Sequence, residues 1–196
     1  DEELLTQYVE GKTVLPGPLR SALRAGTLGL KIVPVLCGSA FKNKGVQTLL
    51  DAVVDLLPSP VDVPPVEGVQ PKTGETVTRA AADDAPFAAL VFKLMTDKHV
   101  GHLSYIRVYS GTSRTGEAVL NSASGRKQRM GRLLQMHANK RQEIDEICTG
   151  DIVAVVGLKD VKTGQTLCAV NNPVILEDLD FPDPVISIAI EPKTQA

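Results

Sequence analysis

The sequence predicts a short α/β segment joined by a proline-rich stretch to an all-β barrel. Three observations carry this reading. An apolar run at residues 30–37 is followed by an apolar stripe at helical spacing over residues 46–57; prolines cluster between residues 58 and 86; and short apolar runs punctuated by glycine fill the chain from residue 87 onward. With 196 residues, 43% of them apolar and 22% charged, the chain has room for one large or two small domains and for a core without staples.

The elements follow in order. Leu4, Leu5, Tyr8 and Val9 share one face of a short first helix. A second helix opens at Gly17-Pro18, where a proline pre-sets the first turn, and Gly26 is suited to close it. Residues 30–37 read as a buried strand, with Cys37 a small buried residue, running into the loop Gly38-Ser39-Ala40-Phe41. Val46, Leu49, Leu50, Val53, Val54 and Leu57 form the single stripe of the clearest helix, which ends at Pro58. Pro58, Pro60, Pro64, Pro65, Pro71 and Pro86 then read as an extended connection. Strands are expected at residues 87–95, 103–109, 118–120, 130–136, 152–156 and 185–190, closing into a small barrel with no free edge. Thr73-Gly74-Glu75, Thr115-Gly116-Glu117 and Thr163-Gly164-Gln165 look like one recurring turn, in which glycine supplies a positive φ.

Charge narrows the function. A formal charge of −2 leaves no global cationic field, so nucleic-acid binding has to come from a local patch. Arg126, Lys127, Arg129, Arg132, Lys140 and Arg141 lie together without an acidic neighbour, before Glu143, Asp145, Glu146 and Asp151. That run is either a solvated face or a phosphate-binding one. The three cysteines, Cys37, Cys148 and Cys168, are odd in number and form no CxxC pair, which argues against a disulfide framework or a zinc ribbon and for a reducing compartment. No apolar run reaches the length of a bilayer span, and Asp1-Glu2-Glu3 does not open a signal or transit peptide, so the expected location is the cytoplasm.

Other constellations are incomplete. Gly11-Lys12-Thr13 lacks the glycine of a phosphate loop, since Thr6 stands there. His99 and His102 have no third metal ligand at suitable spacing, and Cys37 and Ser39 have no His and acid partners, so neither a metal site nor a catalytic residue is assigned. The loop Gly38-Ser39-Ala40-Phe41 leaves a strand for an amphipathic helix, where ligands of open α/β sheets gather; it is either an ordinary turn or a place where free backbone N–H groups meet a planar acceptor.

Six words in order carry a family resemblance: Val35-Leu36-Cys37-Gly38-Ser39-Ala40-Phe41-Lys42-Asn43-Lys44-Gly45-Val46-Gln47, Arg107-Val108-Tyr109-Ser110-Gly111, Gln135-Met136-His137-Ala138-Asn139-Lys140-Arg141, Gly150-Asp151-Ile152, Gly157-Leu158-Lys159-Asp160, and Phe181-Pro182-Asp183-Pro184-Val185-Ile186. Over nearly its whole length the chain resembles bacterial-type translation elongation factor G. The resemblance implies the C-terminal part of a P-loop GTPase domain at residues 1–60, with 1–11 closing its inserted subdomain. It further implies a Pro-rich linker at 61–86, the translation-factor β-barrel called domain II at 87–191, and the start of the third domain, cut short, at 192–196. It implies that Gly38, Ser39, Ala40 and Phe41 form the fifth GTPase motif, touching guanine, and that the barrel docks on small-subunit ribosomal RNA through a basic face including Arg126 to Arg141. Its partners would be the ribosome, the missing parts of the GTPase domain and the third domain, with no membrane.

The chain departs from the family in having no GxxxxGKS/T loop, no DxxG switch and no Asn-Lys-x-Asp motif, because Val46 ends Asn43-Lys44-Gly45-Val46. GTP and Mg²⁺ are therefore expected for the full-length protein and not for this chain alone, which is not expected to be an enzyme. Relatives that act in recycling, ribosome protection or release-factor ejection share the same barrel, and an independent ligand-binding β-barrel is the remaining alternative.

Overall fold

The computed structural model describes residues 1–97, 100–138, 140–176, 186, 188 and 189. His99, Asn139, the residues at 181–185 of the sixth family word, positions 185, 187 and 190 of the expected last strand, and the third-domain entry at 192–196 lie outside the described residues. The chain forms two units, Asp1–Pro65 and Val66–Ala196.

The first unit is built of helices. Helix α1 (Glu2–Val9) starts at Asp1, whose carboxylate accepts the Leu4 N–H at 3.1 Å. Helix α2 (Pro16–Leu28) places Pro16, not Pro18, at its opening, and helix α3 (Val46–Leu56) follows the predicted stripe. Gly26 does not close α2. It lies inside the helix, where Ile32 Cδ1 comes within 3.0 Å of the position a Cβ would take. The guanidinium of Arg24 ties the helices by donating to the carbonyls of Asp55 at 2.9 Å and Leu57 at 3.2 Å, and by pairing with Asp62 at 2.5 Å. The backbone N–H of Ser59, then its hydroxyl, hold the Asp62 carboxyl below its ordinary value, with Arg24 adding to them. Because the folded value is depressed, this contribution is present above the usual carboxylate range and is lost as pH falls through the lowered value.

The apolar run at residues 30–37 is not a buried strand. It pairs with no strand among the described residues, Leu30 takes a left-handed φ of 54°, no residue of 1–65 is buried, and Cys37 is exposed. An apolar sequence becomes a strand only when a neighbouring strand satisfies its backbone groups, and here the N–H groups of Lys31 and Ile32 turn back to the Gly26 carbonyl at 2.9 and 3.3 Å.

The second unit begins inside the stretch expected as an extended connection. Strands β1 (Val66–Val69) and β2 (Thr76–Arg79) form a hairpin around the Thr73-Gly74 turn, and Val69 and Ile175 exchange backbone bonds at 2.8 Å each way. Pro65 stands just before this hairpin and Pro71 in its turn, so neither interrupts a strand, and Val77 packs on buried Ala88, Cys168 and Val174.

The barrel follows, with strands β3 (Ala88–Asp97), β4 (Gly101–Ser110), β5 (Ser113–Arg114), β6 (Ala118–Asn121), β7 (Arg126–Arg129), β8 (Leu133–His137), β9 (Lys140–Ile144), β10 (Glu146–Ile147), β11 (Ile152–Val156) and β12 (Thr166–Ala169). Eight of them form an antiparallel sheet in the order β7-β6-β12-β3-β4-β11-β8-β9. Strand β10 continues β9 past Asp145 and β5 leads into β6, so the β5–β10 pair and the Thr115 N–H to Asp145 carbonyl bond at 2.9 Å join the two ends of that ladder. Val91, Ile106, Val119, Leu133, Val153 and Leu167 consequently meet in a single core, with Ile144 packed against it. Gly74, Gly116 and Gly164 all have φ between 73° and 88°, as the recurring Thr-Gly turn requires.

Asn121 is a polar key of the core. It is fully buried, its amide donates to Gln165 at 2.8 Å, and its carbonyl accepts the N–H groups of Ala123 and Ser124. Asn121→Ala strands those groups, and a loss of about 2 kcal/mol is expected, read as a lower denaturation midpoint with an unchanged slope.

Candidate nucleic-acid interface and nucleotide-contacting loop

The loop from Gly38 to Gly45 is a closed turn. Ser39 and Lys44 exchange backbone bonds at 2.9 and 3.0 Å, and Ala40–Lys42 make one turn of 3₁₀ helix between them. Gly45 enters α3 at φ 72°, and added Cβ atoms at Gly38 and Gly45 would lie 2.9 Å from the carbonyls of Lys44 and Cys37, so both positions need the bare backbone. The N–H of Ser39 is thereby spent inside the turn, contrary to the reading that it is free for a ligand. The N–H groups of Ala40 and Phe41 open the turn and have no partner within it, and the Phe41 ring is wholly exposed.

No group of three His, Cys, Asp or Glu side chains among the described residues could hold a metal ion. Residues 38–45 carry two lysines and no carboxylate, so this loop by itself supplies no ligand set that fits Mg²⁺. His102 has Thr96 beside it, with Nδ1 and Oγ1 3.4 Å apart.

The six predicted cations are not one stripe. Arg126, Lys127 and Arg129 lie on β7, which pairs with β6, whereas Lys140 and Arg141 lie on β9, which pairs with β8, and Arg132 lies in the connection between β7 and β8. They also differ in commitment. Arg126 pairs with Asp160 at 3.5 Å in the open, Arg129 donates its Nε–H to the Gly116 carbonyl at 3.1 Å, and Arg141 pairs with Asp97 at 2.5 Å, where both side chains are largely covered. Lys127, Arg132 and Lys140 are exposed and have no ion-pair partner among the described residues.

Sequence reasoning passed over a second set of cations. Lys93 sits over the Tyr105 ring at 5.9 Å, Phe92 lies 6.2 Å from the same ring, and Arg107 sits over Tyr109 at 5.3 Å. Tyr105, Arg107 and Tyr109 alternate with core positions along β4, and the cross-strand register sets Lys93 of β3 opposite Tyr105.

The cysteines grade by environment. Partial burial, then the carboxylates of Asp83, Asp151 and Glu146, push the Cys148 thiol above its ordinary value, while Cys168 is buried with its sulfur 3.0 Å from Ser122 Oγ. Iodoacetamide at about pH 8 is expected to label Cys37 first, Cys148 more slowly and Cys168 last, with the Cys148 rate still rising above about pH 9; peptide mass mapping over time reads the order.

Residues 86–170 match a family model described as Elongation factor G domain 2. The barrel has the fold of a translation-factor domain II. A crystal structure of a protein from Thermus thermophilus superposes with a TM-score of 0.69 at 26% identity, covering 100% of this chain and 27% of that one. The chain thus spans about a quarter of the length of that relative. The matched residues run from just before β3 to the end of β12, so the domain II region contains β7, the β8–β9 hairpin and all six predicted cations.

Among the described residues no helix is long and apolar enough to cross a membrane.

Proposed function

We propose that this chain is the closing part of the GTP-binding domain, together with domain II, of a cytoplasmic ribosome-dependent GTPase of the elongation factor G kind, which moves transfer and messenger RNA after peptide bond formation. The observation that carries this reading is the domain 2 match over residues 86–170, which falls on the barrel strands β3 to β12. The barrel holds the GTPase on small-subunit ribosomal RNA through lysine and arginine contacts to phosphate, which position without reading sequence. Lys127 and Arg132 are the cations best placed for this, being exposed and unspent.

The first unit supplies the guanine-side loop, with the backbone of Ala40 and Phe41 as its contact and Gly38 and Gly45 keeping the turn closed. Val33, Val35 and Val54 are 84%, 85% and 78% exposed. Burying them is worth about 1.5–3 kcal/mol each, which suits a surface covered by the rest of a GTP-binding domain. GTP and Mg²⁺, when bound to the full protein, supply phosphoryl transfer to water; this chain's own part is to orient the base.

Two measurements test the proposal. The chain should cosediment with small ribosomal subunits at low salt and release steeply as salt rises; no binding at low salt overturns the docking role. Calorimetric titration with GTP should show no micromolar binding to this chain, and micromolar affinity would overturn the assignment of the remaining nucleotide contacts to other parts of the protein.

A further inference from the structure

The β8–β9 hairpin carries a feature that phosphate docking does not use. Its register sets Gln135 directly opposite Gln142 and His137 directly opposite Lys140. Alternation along a strand puts residues 135 and 137 on one face, with 142 and 140 across from them, while Met136 and Arg141 point to the other face. Taken from both faces together, these six residues border a concavity of about 460 Å³, and none of the six is acidic. Gln135, His137, Lys140 and Gln142 are exposed, and their side chains have no hydrogen-bond or ion-pair partner among the described residues. Two exposed amides side by side, each offering donors and an acceptor to solvent, are suited to exchange water for the edge of a nucleobase. The neighbouring cation is also selected by the fold. Arg141 is held by Asp97, so the free ammonium beside the amides belongs to Lys140.

We infer that this hairpin face takes a single unstacked nucleotide of RNA, with Gln135 and Gln142 hydrogen-bonding the base edge and Lys140 meeting the adjoining phosphate. Unpaired bases in loops and bulges are the RNA groups whose edges a protein can reach in this way. The inference rests on the proposed RNA-docking role and adds base contact to what is otherwise contact with the backbone alone.

The test is fluorescence anisotropy of the whole 196-residue chain with a labelled twelve-nucleotide oligo(A) and with a labelled RNA duplex of equal length. Gln135→Thr with Gln142→Thr keeps strand propensity while removing both amides. It should weaken oligo(A) binding about tenfold with little change in salt slope, and should leave duplex binding unchanged. Lys140→Ala should weaken both RNAs and reduce the single-strand slope by about 0.7. Circular dichroism checks that the hairpin variant retains the parent spectrum; Gln135→Glu with Gln142→Glu, which alters charge but hardly size, should weaken oligo(A) binding further. Retained oligo(A) affinity in both glutamine variants overturns the inference. If those variants bind normally while Lys127→Ala with Arg132→Ala loses affinity, the docking role stands without the base contact. If no variant changes binding to either RNA, both readings fail.

Discussion

Gly131→Ala is expected to lower the melting temperature of the barrel by about 10 °C or more, the largest single-residue effect on stability that the fold implies. Gly131 lies in the connection from β7 to β8, where the chain crosses β11. An added Cβ would sit 1.9 Å from the Val156 carbonyl oxygen and 3.0 Å from its carbon. The obstacle is strand backbone, which has no rotamer to turn aside, and the next residue's carbonyl accepts the Val156 N–H at 3.0 Å, so relief would break that bond. Neighbouring Met130 and Leu133 are fully buried, which spreads any shift into the core. Gly125→Ala is the control. Gly125 also sits in a turn, at φ 66°, yet no atom lies within 4 Å of its added Cβ, so only the strain of a positive φ is at stake, about 1 kcal/mol. Equal melting temperatures for the two variants, by calorimetry of the barrel transition, would show that the β7–β8 crossing is looser than described.

The largest effect on binding should come from the cations of the first group. Replacing Arg126, Lys127, Arg129 and Arg132 together with alanine is expected to cut affinity for small ribosomal subunits about a hundredfold at low salt and to flatten the salt dependence by about 3 in log–log slope. The structure also predicts how that loss divides. Arg126 already faces Asp160 and Arg129 is pinned on the Gly116 carbonyl, so Lys127→Ala with Arg132→Ala should account for more than half of it. Sedimentation with subunits across a salt series measures both quantities. An unchanged slope in the quadruple variant would remove this face from the interface and leave the hairpin cations to carry docking.

Much of the fold was legible because burial leaves a period in the sequence. The stripe from Val46 to Leu57 announced α3, and the apolar runs around Val91, Ile106, Val119 and Val153 announced β3, β4, β6 and β11. Strands β7 and β9 were not announced. Their sequences, Arg126-Lys127-Gln128-Arg129 and Lys140-Arg141-Gln142-Glu143, contain no apolar residue and stay mostly exposed, so no apolar period marks them and their pairing shows only in the register. Residues 30–37 erred the other way, with a strand's composition and no partner strand among the described residues to make it one. The β1–β2 hairpin was hidden by prolines that lie outside its strands, Pro71 in the turn itself.

What the sequence determined by itself is therefore local: helix positions from apolar spacing, left-handed turns from Thr-Gly pairs, and the presence of six cations free of acidic neighbours in the chain. Which of those cations can meet a phosphate was decided only by the tertiary structure. Folding put all but Arg132 on strands that do not pair with each other, brought Asp160 to Arg126 and Asp97 to Arg141 across 34 and 44 residues of sequence, and left Lys127, Arg132 and Lys140 unspent. The physical reason is that a charge's availability depends on its neighbours in space, and pairing between strands creates neighbours that no reading along the chain contains.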